Sequence, residues 1–147
     1  MITQEDIEAF MEEVEASRRP PLTVPQMVEI FAETMRQEKN PEMSGVLVTE
    51  EFDEWFREYR MWYVDSRHYK PTGELKELAD LVYVIYSYAR ARGFDLETAI
   101  ERVHENNMSR CVWPDGNVKY REDGKILKQP NYPKPDLSDL VGGKHGN

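Results

Sequence analysis

The sequence predicts an all-α protein of five helices with a short C-terminal β-hairpin. Apolar residues recur every three or four positions along five segments, which is the spacing of one helix face. Proline, glycine or a capping residue stands between consecutive segments. Hydrophobic residues make up 39% of the 147 residues and aromatic residues 11%, which is enough for one folded domain.

The first helix is expected to begin after Thr3, which can cap it, and to end before Pro20 and Pro21. Its apolar face consists of Ile7, Phe10, Met11 and Val14. We expect residues 1–21 to form this acidic helix and a linker, residues 22–137 the main domain and residues 138–147 a flexible tail.

The second helix is expected to begin near Thr23 or Pro25 and to stop at Asn40 and Pro41. Its face consists of Met27, Ile30, Phe31, Thr34 and Met35. Residues 41–45 contain both proline and glycine, so we expect a loop there.

The third and fourth helices form the centre of the prediction. The third is expected from about Thr49 to Asp65 and is rich in aromatic residues. The fourth is expected from about Glu74 to Arg92, and its apolar middle predicts a central position in the bundle. Gly93 is a suitable C-terminal stop.

The fifth helix is expected to start at Asp95, which suits an N-cap. Its apolar face consists of Leu96, Ala99, Ile100 and Val103. Asn107 lies on the same face, where its amide either binds a polar partner or ligand or caps the helix end. After Trp113 the pattern predicts a β-hairpin that turns at Asp123-Gly124, and an extended or loose segment follows from Pro130.

Two groups of acidic residues stand at helical spacing in the third and fourth helices. Glu50, Glu51 and Glu54 lie in the third, and Glu77 and Asp80 follow after a gap of 22 residues. If the helices are antiparallel, these carboxylates converge and need a cation, for which oxygen ligands favour Mg²⁺ or Mn²⁺. Such an ion usually serves a phosphate-bearing substrate. The alternative is a solvated acidic face, since the chain has 28 Asp and Glu.

Net charge and cysteine content limit the functional classes. A net charge of −9 disfavours binding of polymeric nucleic acid. Cys111 is the single cysteine, the acidic stretch from Thr3 to Glu15 is unlike a signal peptide, and no apolar run would span a bilayer. We therefore expect a cytoplasmic protein without membrane contact.

The segment 111–135 differs from the rest because it carries five Lys and Arg against three Asp and Glu. Trp113, Tyr120 and Tyr132 are interleaved with these cations, a combination that suits nucleotide contact. The alternative is an exposed hairpin with ordinary solubilising lysines.

These residues together resemble the all-α nucleoside triphosphate pyrophosphohydrolases, the superfamily of MazG-like and phosphoribosyl-ATP pyrophosphohydrolase-like enzymes. The family pattern E-E-x-x-E, a gap and E-x-x-D stands here as Glu50-Glu51-x-x-Glu54 and Glu77-x-x-Asp80. The segments ELADLVYVIYSYARARGFDLETAIERVHENNMSR and DGNVKYREDGKILKQPNY extend the likeness, which covers about Met27 to Leu137.

The resemblance implies a four-helix core with a small hairpin appended, built as a dimer or dimer of dimers, and the helix before Pro20 is extra to it. The implied activity is hydrolysis of a nucleoside triphosphate between its α and β phosphates, in nucleotide-pool housecleaning. The resemblance also implies Mg²⁺, with Mn²⁺ able to substitute, held by Glu51, Glu54, Glu77 and Asp80. Glu50 takes the extra acid position, either as a ligand or as the base that activates water. The implied substrate-binding residues are Asn107, Arg110, Tyr120, Lys125, Lys128 and Tyr132.

Substrate choice stays open at this point. Trp55 and Phe56 replace smaller residues beside the acid motif, and Glu58 extends the acidic face, so no base preference carries over from the family. The alternatives are a hydrolase specific for dUTP or dCTP, a hydrolase of another phosphorylated metabolite such as phosphoribosyl-ATP, and a non-catalytic helical module that binds nucleotides or a protein.

Overall fold

The computed structural model describes residues 3–17 and 20–142, without the side chains of residues 13–17. Its elements are α1 (Gln4–Ser17), α2 (Val24–Thr34), α3 (Pro41–Val64), α4 (Pro71–Arg92), α5 (Leu96–Cys111) and a 3₁₀ helix (Ser138–Leu140). The all-α prediction is confirmed, and the described residues contain no β-strand. None of the described helices is long and apolar enough to cross a membrane.

The expected capping residues act at the starts of three helices. Thr23 and Gln26 exchange side-chain and backbone hydrogen bonds in a capping box at the start of α2. The side chain of Asp95 accepts from the backbone N–H of Thr98 at 3.1 Å, where α5 begins. The hydroxyl of Thr3 accepts from the backbone N–H of Asp6 at 3.2 Å, where α1 begins.

The third helix begins at Pro41 and not at Thr49, so the predicted loop over residues 41–45 is wrong. Asn40 caps it, because its side-chain oxygen accepts from the N–H of Met43 at 3.0 Å. Proline suits the first position of a helix, where no intrahelical N–H bond is lost. Gly45 lies inside the helix, and a Cβ built there would meet the Tyr88 ring at 3.6 Å.

Helices α3 and α4 pack antiparallel along most of their length. Gly45 near the start of α3 lies against Tyr88 near the end of α4, and Glu58 of α3 approaches Gly73 near the start of α4. Helix α4 also packs against α2, where the rings of Phe31 and Tyr83 meet edge to face at 6.1 Å between centroids. The buried apolar side chains in the described residues are Val28, Ala32, Ala89 and Leu140.

The predicted C-terminal β-hairpin is not formed. The turn is present, since Gly124 has φ +82° and its N–H donates to the Arg121 carbonyl at 2.9 Å. One isolated antiparallel bridge, Tyr120 to Ile126, flanks this turn, and a second, Val112 to Val118, closes the turn before it. Two short ribbons without a third strand or a covering helix have too little packing to extend into regular strands.

The segment after residue 128 runs back along α5 towards its N-terminus. The N–H of Gln129 donates to the Arg110 carbonyl at 2.9 Å, and the Asn106 amide donates to the Pro133 carbonyl at 2.7 Å. Arg102 pairs with Asp139 at 2.6 Å. Residues 138–142, the start of the expected flexible tail, thus include a 3₁₀ helix with a buried leucine, and residues 143–147 lie outside the described part.

Two glycines with opposite backbone requirements give a stability test. Gly93 ends α4 with φ +68°, so Gly93→Ala is expected to lower the free energy of unfolding by about 1 kcal/mol. Gly45 is helical with an ordinary contact at its Cβ position, so Gly45→Ala is expected to raise it by about 0.5–1 kcal/mol. Urea denaturation of both variants measures these changes, and a loss at Gly45 would contradict the helical start of α3.

Candidate metal centre

Three carboxylates converge where α3 crosses the first half of α4. Glu51 of α3 and Glu77 and Asp80 of α4 each offer an oxygen, and these oxygens lie within 4.8 Å of one another. We call these residues the acidic triad. Glu77 and Asp80 share a helix face because they are three residues apart, and the antiparallel packing places Glu51 opposite them. The sequence predicted this convergence on the assumption that the helices are antiparallel.

Glu51 is the member of the triad with the most evident need for a partner. Its Oε2 atom is buried and accepts no hydrogen bond from the described residues. Burial raises the pKa of Glu51, and the negative charges of Glu54, Asp80 and Glu77 raise it further. A buried carboxylate oxygen among other carboxylates is stabilised by a bound cation. Three carboxylates fit a hard divalent ion such as Mg²⁺ or Mn²⁺.

Lys76 supplies the positive charge nearest to the acidic triad. Its Nζ atom lies 2.8 Å from Asp80 Oδ2 and 3.2 Å from Glu77 Oε1. These hydrogen bonds, the one to Asp80 above all, raise the pKa of Lys76 and keep it charged at neutral pH. The ammonium pairs directly with the two acids of its own helix, and its charge offsets only part of the rise in the pKa of Glu51.

The other two predicted acids lie beside the acidic triad. Glu54 is half-buried one helical turn after Glu51, and although its charge raises the pKa of Glu51, its oxygens are outside the triad. Glu50 is exposed and also outside it. The structure therefore places Glu54 as a nearby fourth carboxylate and Glu50 at the solvent side.

A cleft of about 330 Å³ between α2, α3 and α4 opens beside Glu51 and Asp80. Its other lining residues are Phe31, Gln37, Ser44, Leu47, Tyr83, Val84 and Ser87. Apolar walls with a few polar groups are typical of small-molecule sites of this size. The sequence analysis did not identify this cleft. Only the helical spacing of Tyr83 and Ser87 after Asp80 could have indicated its α4 wall.

The remaining predicted residues lie on α5 and in the segment after it. The Arg110 guanidinium donates to the Asn107 side chain at 2.9 Å, and its buried Nε has no hydrogen-bond partner among the described residues. Tyr120 is exposed opposite Ile126 in an isolated bridge, and the side chains of Lys125 and Lys128 are also exposed. Tyr132 is half-buried in a shallow groove with Arg102, Asn106 and Ser109. We call residues 107–132 the cationic segment.

The acidic triad and the cationic segment are separate in the single chain. Helix α5 packs against the 3₁₀ helix, whereas the triad is built by α3 and α4. Within residues 3–17 and 20–142, no hydrogen bond or ion pair joins the cationic segment to Glu51, Glu77 or Asp80. No direct contact therefore joins the predicted ligands to the predicted substrate-binding cations in the described part of the chain.

Neither a family model nor a curated protein sequence matches this chain. The functional interpretation therefore depends on the geometry and the chemistry of the triad, the cleft and the cationic segment.

The raised pKa of Glu51 gives a testable pH dependence. The folded protein favours the protonated form of the Glu51 carboxyl, so ionising this group lowers the free energy of unfolding. This destabilisation is fully present above the pKa of Glu51 in the folded protein and is absent below about pH 4.3, where glutamate titrates in the unfolded chain. Glu51→Gln is therefore expected to raise the melting temperature of the metal-free protein at pH 7 by about 2–4 °C. The gain should disappear near pH 4.

The control for this measurement is Glu50→Gln, because Glu50 is exposed one residue away. It removes the same charge without removing a buried oxygen and should change the melting temperature little. A melting temperature of Glu51→Gln below that of the wild type at pH 7 would contradict the electrostatic interpretation of the triad.

Proposed function

We propose that the protein is a metal-dependent pyrophosphohydrolase that cleaves a nucleoside triphosphate into the monophosphate and pyrophosphate. The observation that carries the proposal is the acidic triad, with its buried, unpartnered Glu51 oxygen, on the wall of a cleft that is large enough for a nucleoside. A module that only binds a protein has no need for such a carboxylate.

Glu51, Glu77 and Asp80 would hold Mg²⁺ or Mn²⁺, and Glu54 is close enough to bias the site further towards a cation. When bound, the metal would neutralise the negative charge of the phosphates and lower the pKa of a water molecule. Glu50, the exposed acid that precedes Glu51 in the chain, is proposed to take a proton from the water that attacks the α-phosphorus. Pyrophosphate then leaves with the electrons of the broken bond.

The cleft beside the triad is proposed to bind the nucleoside. Phe31 and Tyr83 offer aromatic surface to a base or sugar, and Gln37 offers an amide to a hydrogen-bonding edge. The hydroxyls of Ser44 and Ser87 suit contacts with the sugar. This arrangement accommodates a range of nucleotides, among them dUTP and dCTP, and is also compatible with another phosphorylated metabolite.

The surface of the chain supports a homo-oligomer. A compact monomer of 17.3 kDa is expected to expose roughly 7,800 Å², whereas this chain exposes 12325 Å². Large apolar side chains are exposed on every α-helix, among them Phe10, Ile30, Trp62, Leu75 and Met108. The excess of roughly 4,500 Å² per chain is larger than the roughly 1,000–2,500 Å² that each obligate subunit buries in one interface, so we propose a homodimer or homotetramer.

The oligomer also resolves the separation of the two groups of predicted residues. Arg110 has a buried donor without a partner, and the acidic triad has no phosphate-binding cation besides Lys76 near it among the described residues. A second copy can place its cationic segment over the triad of the first. Arg110, with Lys125 or Lys128, would then hold the pyrophosphate. A cytoplasmic role in nucleotide-pool housecleaning fits this activity.

Product identification tests the proposed reaction. The wild type, incubated with each common NTP and dNTP in Mg²⁺ or Mn²⁺, is expected to release monophosphate and pyrophosphate, resolved by ion exchange. The Glu54→Gln, Asp80→Asn double variant should lose at least about 10²-fold in rate, because the charge at the metal site is reduced. Diphosphate plus phosphate, or products from the double variant at the wild-type rate, would contradict the proposal.

Mixing two inactive variants tests whether the site is shared between copies. Glu51→Gln removes a triad carboxylate, and Arg110→Met removes the proposed phosphate contact. If each site takes one part from each chain of a dimer, co-refolding equal amounts should restore about a quarter of wild-type activity. If both parts come from the same chain, the mixture should remain inactive.

A further inference from the structure

We propose that Lys76 is an exchangeable counter-ion of the acidic triad, a role that rests on the proposed metal site. Its ammonium holds Glu77 and Asp80 together while no metal is bound, and it competes with the metal for these two carboxylates. The affinity of the site for divalent ions is therefore set partly by a residue that is not itself a ligand.

The ion-pair geometry supports this role. The Lys76 ammonium lies 2.8 Å from Asp80 Oδ2, and it donates to both Glu77 oxygens at 3.2 and 3.4 Å. A divalent ion held by Glu77 and Asp80 would draw on the same two carboxylates. The ammonium and the ion are both cations beside one pair of acids, so each is expected to weaken the binding of the other.

The compensation that Lys76 provides is incomplete. One ammonium carries a single positive charge against three carboxylates, and the buried Oε2 of Glu51 remains without a hydrogen-bond donor. A divalent ion among the three oxygens would satisfy Glu51 as well as the two acids of α4. The metal therefore has an electrostatic advantage over the ammonium, which allows the exchange.

The surroundings of Lys76 allow it to leave. Its side chain is 64% exposed, whereas the Glu77 side chain is only 16% exposed, so the ammonium approaches from the solvent. Lysine carries its charge on a flexible four-carbon stem. Lys76 also pairs only within its own helix, in the Lys-to-Asp order that supports a helix less well than the reverse. Its departure breaks no contact between helices.

Two other ion pairs of the protein differ from this one. Arg90 joins α4 to Glu29 of α2, and Arg102 joins α5 to Asp139 of the 3₁₀ helix. Both arginines link separate elements through paired guanidinium bonds. They fit a structural role, whereas Lys76 links only the acids that face the proposed metal.

The test is a calorimetric titration of the full-length protein with Mn²⁺. Lys76→Met keeps the apolar stem and removes the competing charge, so Mn²⁺ is expected to bind roughly three- to tenfold more tightly than to the wild type. The metal-free variant should also melt at a lower temperature than the wild type, because the triad loses its counter-ion. The rise in melting temperature on adding Mn²⁺ should be larger in the variant.

Two control variants distinguish the effect of the Lys76 ion pairs from the effect of removing any positive charge on the same helix. Lys76→Arg keeps a competing cation and should bind Mn²⁺ within about twofold of the wild type. Lys70→Met removes a lysine that caps the same helix six residues earlier, and its effect should also stay within about twofold, because salt screens that distance.

The outcomes distinguish a failure of the role of Lys76 from a failure of the metal site itself. Unchanged or weaker Mn²⁺ binding by Lys76→Met, with normal binding by the wild type, would overturn the role of Lys76 and leave the metal site in place. Equal tightening by Lys70→Met would also overturn it. Absence of Mn²⁺ binding by the wild type would overturn the metal site itself and, with it, the competition.

Discussion

The antiparallel packing of α3 against α4 is the interaction on which the candidate site depends. Gly45 lies against Tyr88 and Gly73 against Glu58 of the facing helix, so the two helices pair along most of their length. This pairing places Glu51 opposite Glu77 and Asp80. It also concentrates negative charge and leaves a buried oxygen without a partner, which is unfavourable for a metal-free protein. Such a cost is expected where a fold preserves a cation site.

The second constraint is that the single chain covers little of its own apolar surface. Helix α4 has α3 and α2 as neighbours, but α5 is occupied by the C-terminal segment and lies away from the triad. Exposed aromatic side chains continue along α3 beyond the acids, from Phe52 to Tyr63. A second copy would cover such surfaces and complete the site with the same contact. Oligomer formation and catalysis would then depend on one interface.

The sequence was sufficient for most of the fold and for the convergence of the acids. Local signals, such as the caps at Thr23 and Asp95 and the stop at Gly93, act over a few residues and were therefore readable. The start of α3 was missed because Pro41 and Gly45 favour loops locally. In the structure, Pro41 occupies the first turn of the helix, which suits proline, and Gly45 lies against the Tyr88 ring of α4. The hairpin failed because strand formation needs neighbours that the sequence does not reveal. The cleft depends on the packing of three helices, which helical spacing alone does not specify. The pair of Lys76 with Asp80, by contrast, joins residues four apart on one helix and was readable from the sequence.

A crystal structure with Mn²⁺ and a nucleotide whose α,β bridge resists hydrolysis tests the central claim most directly. Anomalous scattering locates the manganese independently of the protein model. The proposed function predicts manganese at about 2.0–2.3 Å from oxygens of Glu51, Glu77 and Asp80, with the nucleoside in the adjacent cleft. It also predicts Arg110 from a second copy near the terminal phosphates. Manganese elsewhere on the acidic surface, or a triad without manganese at saturating Mn²⁺, would contradict it.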